Sequence, residues 1–312
     1  MSLMKDILIG MAVGDAVGVP YEFISKQEMD LNPATDMTEY GTHNQPKGTW
    51  SDDTSMALCI VDSIVERKWV DCEGISDKFT KWMFEGYWTP RGVVFDFGIA
   101  TRDALKKRRD LNTPATKCGG TEIFSNGNGS VMRTLALVPY LDDFNMAESY
   151  TIINDVSSIT HAHEISKMSC VLTCTYASFL KRFKDPAYAW ELSFNYIRAN
   201  SFLSNTSETY LEYFEKYREP SKLTDEDFDG SGFARDTAVT SMWCVLKTDN
   251  YKDAVLKAVN YGDDTDTTAC VTGGLAGILH GFKNIPKDWV DSIARKGDIL
   301  ELIKHYNDKI GD

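Results

Sequence analysis

The chain has 312 residues, with 33 Lys and Arg against 46 Asp and Glu, and a net charge of −13. Its 43% hydrophobic and 25% charged residues are typical of a globular protein with a sizeable core, which excludes a disordered tail. The acidity argues against a general nucleic-acid binder or a protein that docks on anionic membranes. We expect no targeting or membrane-spanning segment, because no apolar run approaches the ~20 residues that a bilayer requires.

Helical periodicity dominates the chain from end to end. The pattern predicts helices at 4–17, 51–68, 95–108, 130–141, 145–160, 163–183, 186–199, 206–217, 232–247, 252–260, 265–281 and 287–308. Polar loops are expected at 25–50 and 218–231. Strand alternation and the glycine signatures of dinucleotide and P-loop folds are lacking in the sequence. We therefore predict a single compact all-α domain over residues 1–312.

The seven cysteines form an odd set without a Cys-x-x-Cys pair. Reduced thiols are therefore expected, with Cys170 and Cys174 as small core residues of one helix. This usage predicts a cytoplasmic protein, which we expect to be a monomer.

Two acidic clusters lie where apolar helices are predicted to begin. They are Ser51-Asp52-Asp53-Thr54 and Gly262-Asp263-Asp264-Thr265-Asp266-Thr267. Capping of the helix N-termini is one explanation of each cluster. Three carboxylates within four residues nevertheless repel one another unless a cation lies between them. Oxygen donors without cysteine or paired histidine favour Mg²⁺ or Mn²⁺, and two such clusters could hold two ions.

Two glycine-rich stretches complete the pattern. In residues 10–22, Gly10 and Gly14 predict close helix packing, whereas the carboxylate of Glu22 stands in an apolar setting that favours a shifted pKa. The small-residue segment 125–130 could bind a pyrophosphate through backbone N–H groups, or could be a plain Asn-Gly turn. Of the two histidines in Thr-His-Ala-His, we expect His163 to be a solvated surface residue.

These segments occur in a recognisable order. Gly-x3-Gly-Asp-Ala-x-Gly…Glu, Ser-Asp-Asp-Thr, Asp-Phe-Gly, Gly-Asn-Gly-Ser-x-Met-Arg, Thr-His and Gly-Asp-Asp-Thr-Asp-Thr follow one another between residues 10 and 281. The set resembles the ADP-ribosylglycohydrolase family, of which dinitrogenase reductase-activating glycohydrolase is the namesake. The resemblance implies a compact all-α fold and two Mg²⁺ or Mn²⁺ ions.

The resemblance also implies roles for individual residues. The metal ligands would be Ser51, Asp52, Asp53, Asp264, Asp266 and Thr267. Catalytic carboxylates would be Glu22 and Asp53. Substrate contacts would come from Asp96 and Gly98 on the acceptor side, from Ser125, Gly127, Asn128 and Gly129 around the diphosphate with Met132 nearby, and from His161 on ribose or phosphate.

The implied activity is metal-dependent hydrolysis that removes ADP-ribose from a modified protein side chain, with an arginine N-glycosidic linkage favoured. Hydrolysis of O-acetyl-ADP-ribose, or of ADP-ribosylated nucleic acid or small molecules, remains open. Two further alternatives also remain open. One is a non-catalytic ADP-ribose binder or structural relative, and the other is a divalent-metal phosphohydrolase. Two residues depart from the family pattern: Ser51 replaces a threonine, and Asp263 replaces a glycine and adds a charge beside the metals. Neither change removes a ligand, so we expect an active enzyme.

Overall fold

A computed structural model describes residues 2–311, and within that range every regular element is helical. The helices are α1 Leu3–Gly18, α2 Lys26–Leu31, α3 Asp52–Arg67, α4 Cys72–Glu85, α5 Ile99–Leu111, α6 Val131–Thr134, α7 Val138–Leu141, α8 Met146–Ser158, α9 Glu164–Phe183, α10 Pro186–Leu203, α11 Ser207–Tyr213, α12 Ala234–Leu246, α13 Tyr251–Val259, α14 Thr265–His280, α15 Lys287–Ser292 and α16 Lys296–Lys309. Extended pairing in the described range is limited to three isolated bridges. The predicted all-α class is confirmed.

Two helices were not predicted, although the sequence carries signals for both. A capping box of Ser25 and Glu28 starts α2 within the predicted loop 25–50. Asp71 caps α4, which buries Ile75, Phe79 and Trp82 on one face.

Several predicted bounds were wrong: α10 continues to Leu203 instead of ending at 199, α11 ends at Tyr213 instead of 217, and three further helices differ as follows. The helix predicted at 95–108 begins at Ile99, which leaves Asp96 and Gly98 in the preceding loop. The predicted helix 130–141 is divided by a 3₁₀ turn before α7. The predicted helix 287–308 is interrupted at Ala294, whose N–H donates to Gly48 and whose carbonyl accepts from the Trp50 indole. Long-range bonds of this kind leave no local signal.

The core is organised by the pairing of α1 with α14, whose backbones nearly touch. A Cβ added to Gly10 would lie 2.3 Å from the Gly273 carbonyl oxygen, and one added to Gly14 would lie 2.0 Å from that of Ala269. The close-packing role predicted for Gly10 and Gly14 is thereby confirmed. Gly18 approaches the Asp266 Cα in the same way, so the end of α1 lies against the start of α14.

Gly14→Ala is expected to lower the free energy of unfolding by at least about 2 kcal/mol, because the new methyl meets rigid backbone rather than a movable side chain. Gly297→Ala, on the exposed face of α16 with nothing within 4 Å, is the matched control. That change should alter the free energy of unfolding by no more than about 0.5 kcal/mol, because Gly297 is exposed in the first turn of α16. Equal urea midpoints for the two variants would contradict the close contact.

The start of α3 is attached to α1 by a buried carboxylate. Asp15 accepts hydrogen bonds from the Ser51 N–H at 2.9 Å, the Thr54 N–H at 3.1 Å and the Thr54 hydroxyl at 2.6 Å. Burial raises the pKa of Asp15 to about 7, although these bonds lower it. Asp15 therefore fixes the position from which the first acidic cluster projects.

Two further expectations concern membranes and thiols. Within residues 2–311, every helix is too short or too polar to cross a bilayer. The seven cysteines, all in this range, are unpaired, and Cys170 and Cys174 are buried in the core as predicted.

Candidate active site

The two acidic clusters meet at the N-termini of α3 and α14. Ser51 caps α3, as predicted, with its hydroxyl accepting from the Asp53 N–H at 3.3 Å. The Thr267 hydroxyl donates to Asp53 Oδ1 across the two helices at 3.3 Å. The two acidic clusters, more than two hundred residues apart in sequence, therefore lie together in one buried polar region.

Carboxylate oxygens in this space lack partners. Asp53 Oδ2, Asp264 Oδ1 and Asp266 Oδ2 are buried and accept no hydrogen bond from any described residue. An ionised oxygen buried without a donor is costly, so these atoms need a cation or a proton. Their hard oxygen donors, together with the hydroxyls of Ser51 and Thr267, suit a divalent cation such as Mg²⁺ or Mn²⁺. The residues present therefore fit the metal centre that the family resemblance implies.

The electrostatics of the cluster support the same fit. Burial raises the pKa values of Asp52, Asp53 and Asp266 well above that of an ordinary aspartate, and neighbouring carboxylates raise them further. Bound cations would reverse the repulsion between these groups.

Glu22 follows the 3₁₀ turn after α1 and lies beside the acidic cluster. It is only 4% exposed, and one of its oxygens lies within 4.8 Å of oxygens of Asp264 and Asp266. Burial raises the pKa of Glu22, as the sequence analysis expected from its apolar setting. The predicted catalytic carboxylate is therefore next to the predicted metal ligands.

His43 was not predicted as a functional residue, yet its Nε2 forms a short hydrogen-bonded ion pair with Glu22. The ring lies 5.9 Å from that of Phe23 and 5.3 Å from that of Phe95. The hydrogen bond with Glu22 raises the pKa of His43. A histidine in a polar loop gives no local signal of such a partner, because the contact depends on how loop 40–45 folds over the site.

Asp96 completes the group around Glu22. An oxygen of Asp96 lies within 4.8 Å of ligand atoms of Glu22 and His43. Burial raises the pKa of Asp96 to about 7, and the charge of Glu22 adds to the shift. Gly98 lies two residues further on the exposed rim, with open space around it.

Three residues at this side of the site have a left-handed backbone conformation. Phe23, Asp96 and Asp263 have φ values of +66°, +51° and +56°, a region that bulky side chains seldom adopt outside functional sites. The Phe23 N–H donates to the Asp263 carbonyl at 2.6 Å, and the Asp263 N–H donates to Ile24 at 2.7 Å. Asp263 is exposed, and its backbone ties the Glu22 segment to the second acidic cluster.

The segment 125–130 lies on the opposite side. Asn128 donates to Asp264 Oδ2 and to the Thr237 hydroxyl, both at 2.9 Å, so its amide supports a predicted metal ligand. Ser125 packs against Gly120 at the edge of the loop. Met132 is buried in the hydrophobic core, where its backbone carbonyl faces Cys270.

The two neighbouring histidines differ in environment. His161 is 2% exposed and faces Gly127 and Gly129, so the structure brings these three predicted contacts together. His163 is half-buried and caps α9, with Nδ1 accepting from the Ile165 N–H at 3.2 Å. His163 is therefore less exposed than the solvated position that was expected, because it is the N-cap of α9 and its ring lies against the start of that helix.

Comparison with known proteins gives matches over nearly the whole chain. The model of the ADP-ribosylglycohydrolase family matches residues 2–311. ADP-ribosylarginine hydrolase Tri1 of Serratia proteamaculans is 32% identical over 298 residues, covering 96% of this chain and 77% of the relative. Tri1 of Pseudomonas putida is 30% identical, covering 98% and 78%.

A solved structure described as an ADP-ribosylglycohydrolase-related protein complex shares the fold. Its TM-score is 0.79 at 23% identity, covering 99% of this chain and 98% of the other. The expected enzyme class is confirmed together with the fold. The chain belongs to the ADP-ribosylglycohydrolase family.

Proposed function

We propose that the protein hydrolyses the N-glycosidic bond between ADP-ribose and an arginine side chain. The observation that carries the proposal is the set of buried, unpartnered carboxylate oxygens of Asp53, Asp264 and Asp266 beside Glu22. The arginine linkage is supported by the two relatives named as ADP-ribosylarginine hydrolases. The cationic guanidine of the acceptor suits a pocket side formed by Glu22 and Asp96.

We propose two Mg²⁺ or Mn²⁺ ions as cofactors. The residues that would hold them are Ser51, Asp52, Asp53, Asp264, Asp266 and Thr267. When bound, such ions supply Lewis-acid polarisation of sugar hydroxyls and water.

The chain's own residues provide the remaining chemistry. Glu22 takes a proton from the attacking water, whose oxygen bonds to the anomeric carbon as the carbon–nitrogen bond breaks. The nitrogen leaves with the bonding electron pair and takes up the proton that Glu22 received from the water, so that free ADP-ribose and arginine are released. Carboxylates around the sugar stabilise the oxocarbenium-like transition state. Asp53 is the second candidate for the base.

A substrate panel tests the proposal. Purified protein with Mg²⁺ or Mn²⁺ should release free ADP-ribose from an ADP-ribosylated arginine peptide, and excess chelator should stop the release. Faster turnover of O-acetyl-ADP-ribose, an ADP-ribosylserine peptide or ADP-ribosylated nucleic acid would move the assignment to that acceptor. Binding of ADP-ribose without any release would identify a non-catalytic relative. A monomeric state and a cytoplasmic location stay predictions.

His43→Asn is expected to move the acid limb of the kcat/KM profile to higher pH. The hydrogen bond from His43 lowers the pKa of Glu22 against the larger effect of burial, so its loss lets that pKa rise. The base form of Glu22 exists above its pKa and is lost as the pH falls through it. Steady-state kinetics across pH measure the shift, with exposed His305→Asn as the control. An unchanged acid limb would show that Glu22 is not the group whose protonation limits kcat/KM at low pH.

A further inference from the structure

A buried guanidinium without a carboxylate partner lies behind the 125–130 loop. Arg133 is 0% exposed, and its hydrogen bonds to the described residues all go to neutral acceptors. Its Nη1 donates to the Gly129 carbonyl at 2.7 Å, and its Nη2 donates to the Thr160 hydroxyl at 2.8 Å. The guanidinium also stacks 4.6 Å from the Phe79 ring centroid. A cation buried among neutral acceptors costs stability, which suggests a function for its position.

The contacts of Thr160 indicate which ring nitrogen of His161 carries the hydrogen. Arg133 has no acceptor, so the oxygen of Thr160 receives the hydrogen of that bond. The other polar atom within reach of this hydroxyl, among the described residues, is Nδ1 of His161 at 2.7 Å. A Thr160 hydroxyl that accepts from Arg133 and donates to Nδ1 uses both of its hydrogen-bonding roles and leaves the ring hydrogen on Nε2.

The opposite edge of the His161 ring faces the loop. A Cβ added to Gly127 would lie 3.6 Å from Nε2, and one added to Gly129 would lie 3.5 Å from it. Within residues 2–311, Nε2 has no hydrogen-bond acceptor. Burial and the charge of Arg133 lower the pKa of His161 to about 3, so the ring is neutral near pH 7.

We propose that Arg133 and Thr160 are positioning residues that hold His161 as a fixed neutral donor, with Nε2–H directed at an oxygen of the bound ADP-ribosyl group. The acceptor, a ribose or diphosphate oxygen, is the contact that the family resemblance implies for His161, and this part of the proposal rests on the proposed function; the positioning by Arg133 and Thr160 is the new element. A neutral donor binds such an oxygen without gaining or losing charge across physiological pH.

The tautomer is tested on the ligand-free protein. Nitrogen-15 NMR of the five histidines, with the His161 signals assigned by their loss in His161→Gln, should show Nδ1 bare and Nε2 protonated. Thr160→Val should move the Nδ1 resonance away from its hydrogen-bonded position, because the donor to that nitrogen is lost, and Thr160→Ser should restore it. Wild-type protein with its hydrogen on Nδ1, or an Nδ1 resonance that does not change in Thr160→Val, would overturn the positioning role of Thr160. This measurement does not depend on the enzyme's substrate.

The donor role is tested by calorimetric titration with ADP-ribose in the presence of Mg²⁺. Thr160→Val should weaken binding about tenfold, the effect of one misdirected hydrogen bond, and Thr160→Ser should recover it. His161→Gln, whose amide nitrogen reaches the Nε2 position, should bind more tightly than His161→Asn, whose amide stops at Nδ1. Equal affinities in these pairs would refute the donor role. Failure of wild type to bind ADP-ribose would refute both this role and the proposed function, while leaving the NMR result standing.

Discussion

Asp266→Ala is expected to abolish tight divalent-metal binding and to reduce turnover by more than about a hundredfold, while the helical fold is retained. Loss of even an outer partner of a metal ligand costs ~10–100-fold, and Asp266 offers a buried oxygen with no other partner. In metal-free protein the substitution should not destabilise the fold, because it removes a carboxylate whose burial and like-charged neighbours raise its pKa.

Thermal unfolding with Mn²⁺ and with chelator separates these effects. Wild-type protein should gain stability with rising Mn²⁺ through preferential binding to the native state, whereas Asp266→Ala should gain little. Asp308→Ala, the same substitution at an exposed position of α16, should behave as wild type in both unfolding and turnover. A Mn²⁺-dependent rise in Tm in the Asp266 variant, or turnover near that of wild type, would show that this carboxylate is not a ligand.

Much of the site was predictable because its chemistry is local in sequence. Asp52 and Asp53 follow a capping serine, and Asp264 and Asp266 flank the start of a small-residue helix, so charge repulsion alone indicated a cation. The glycines of α1 and α14 predicted the close contact that brings the two helix ends together. Helical periodicity similarly predicted most of the elements that support the site.

The remainder depends on contacts that have no local pattern. Asp15 belongs to the Gly-x3-Gly-Asp-Ala motif of the sequence, yet its role as the anchor of α3 requires Ser51 and Thr54 at hydrogen-bond distance. His43 contacts Glu22, 21 residues earlier in the chain, from a loop whose sequence has no periodicity. The positive φ of Phe23 is imposed by backbone pairing with Asp263, which no propensity of phenylalanine favours. Tertiary structure decides each of these features.

Glu22→Gln is expected to reduce kcat by about 10²–10⁴-fold, the usual contribution of a positioned general base. Glutamine matches the volume of the buried glutamate but cannot accept the proton of water, so the pocket shape should persist. Affinity for ADP-ribose and for Mn²⁺ should therefore stay within a few-fold of wild type. Single-turnover kinetics and metal titration on one protein preparation measure both quantities.

Two variants make this result specific. Glu301→Gln, at an exposed position of α16, should leave kcat unchanged. Asp53→Asn should lose metal affinity together with turnover, because Asp53 has a buried unpartnered oxygen in the ligand set. If Glu22→Gln also loses Mn²⁺ affinity, Glu22 belongs among the ligands, as its position within 4.8 Å of Asp264 and Asp266 permits. If it keeps more than a tenth of the wild-type kcat, the proton of the attacking water goes elsewhere, and Asp53 becomes the preferred acceptor.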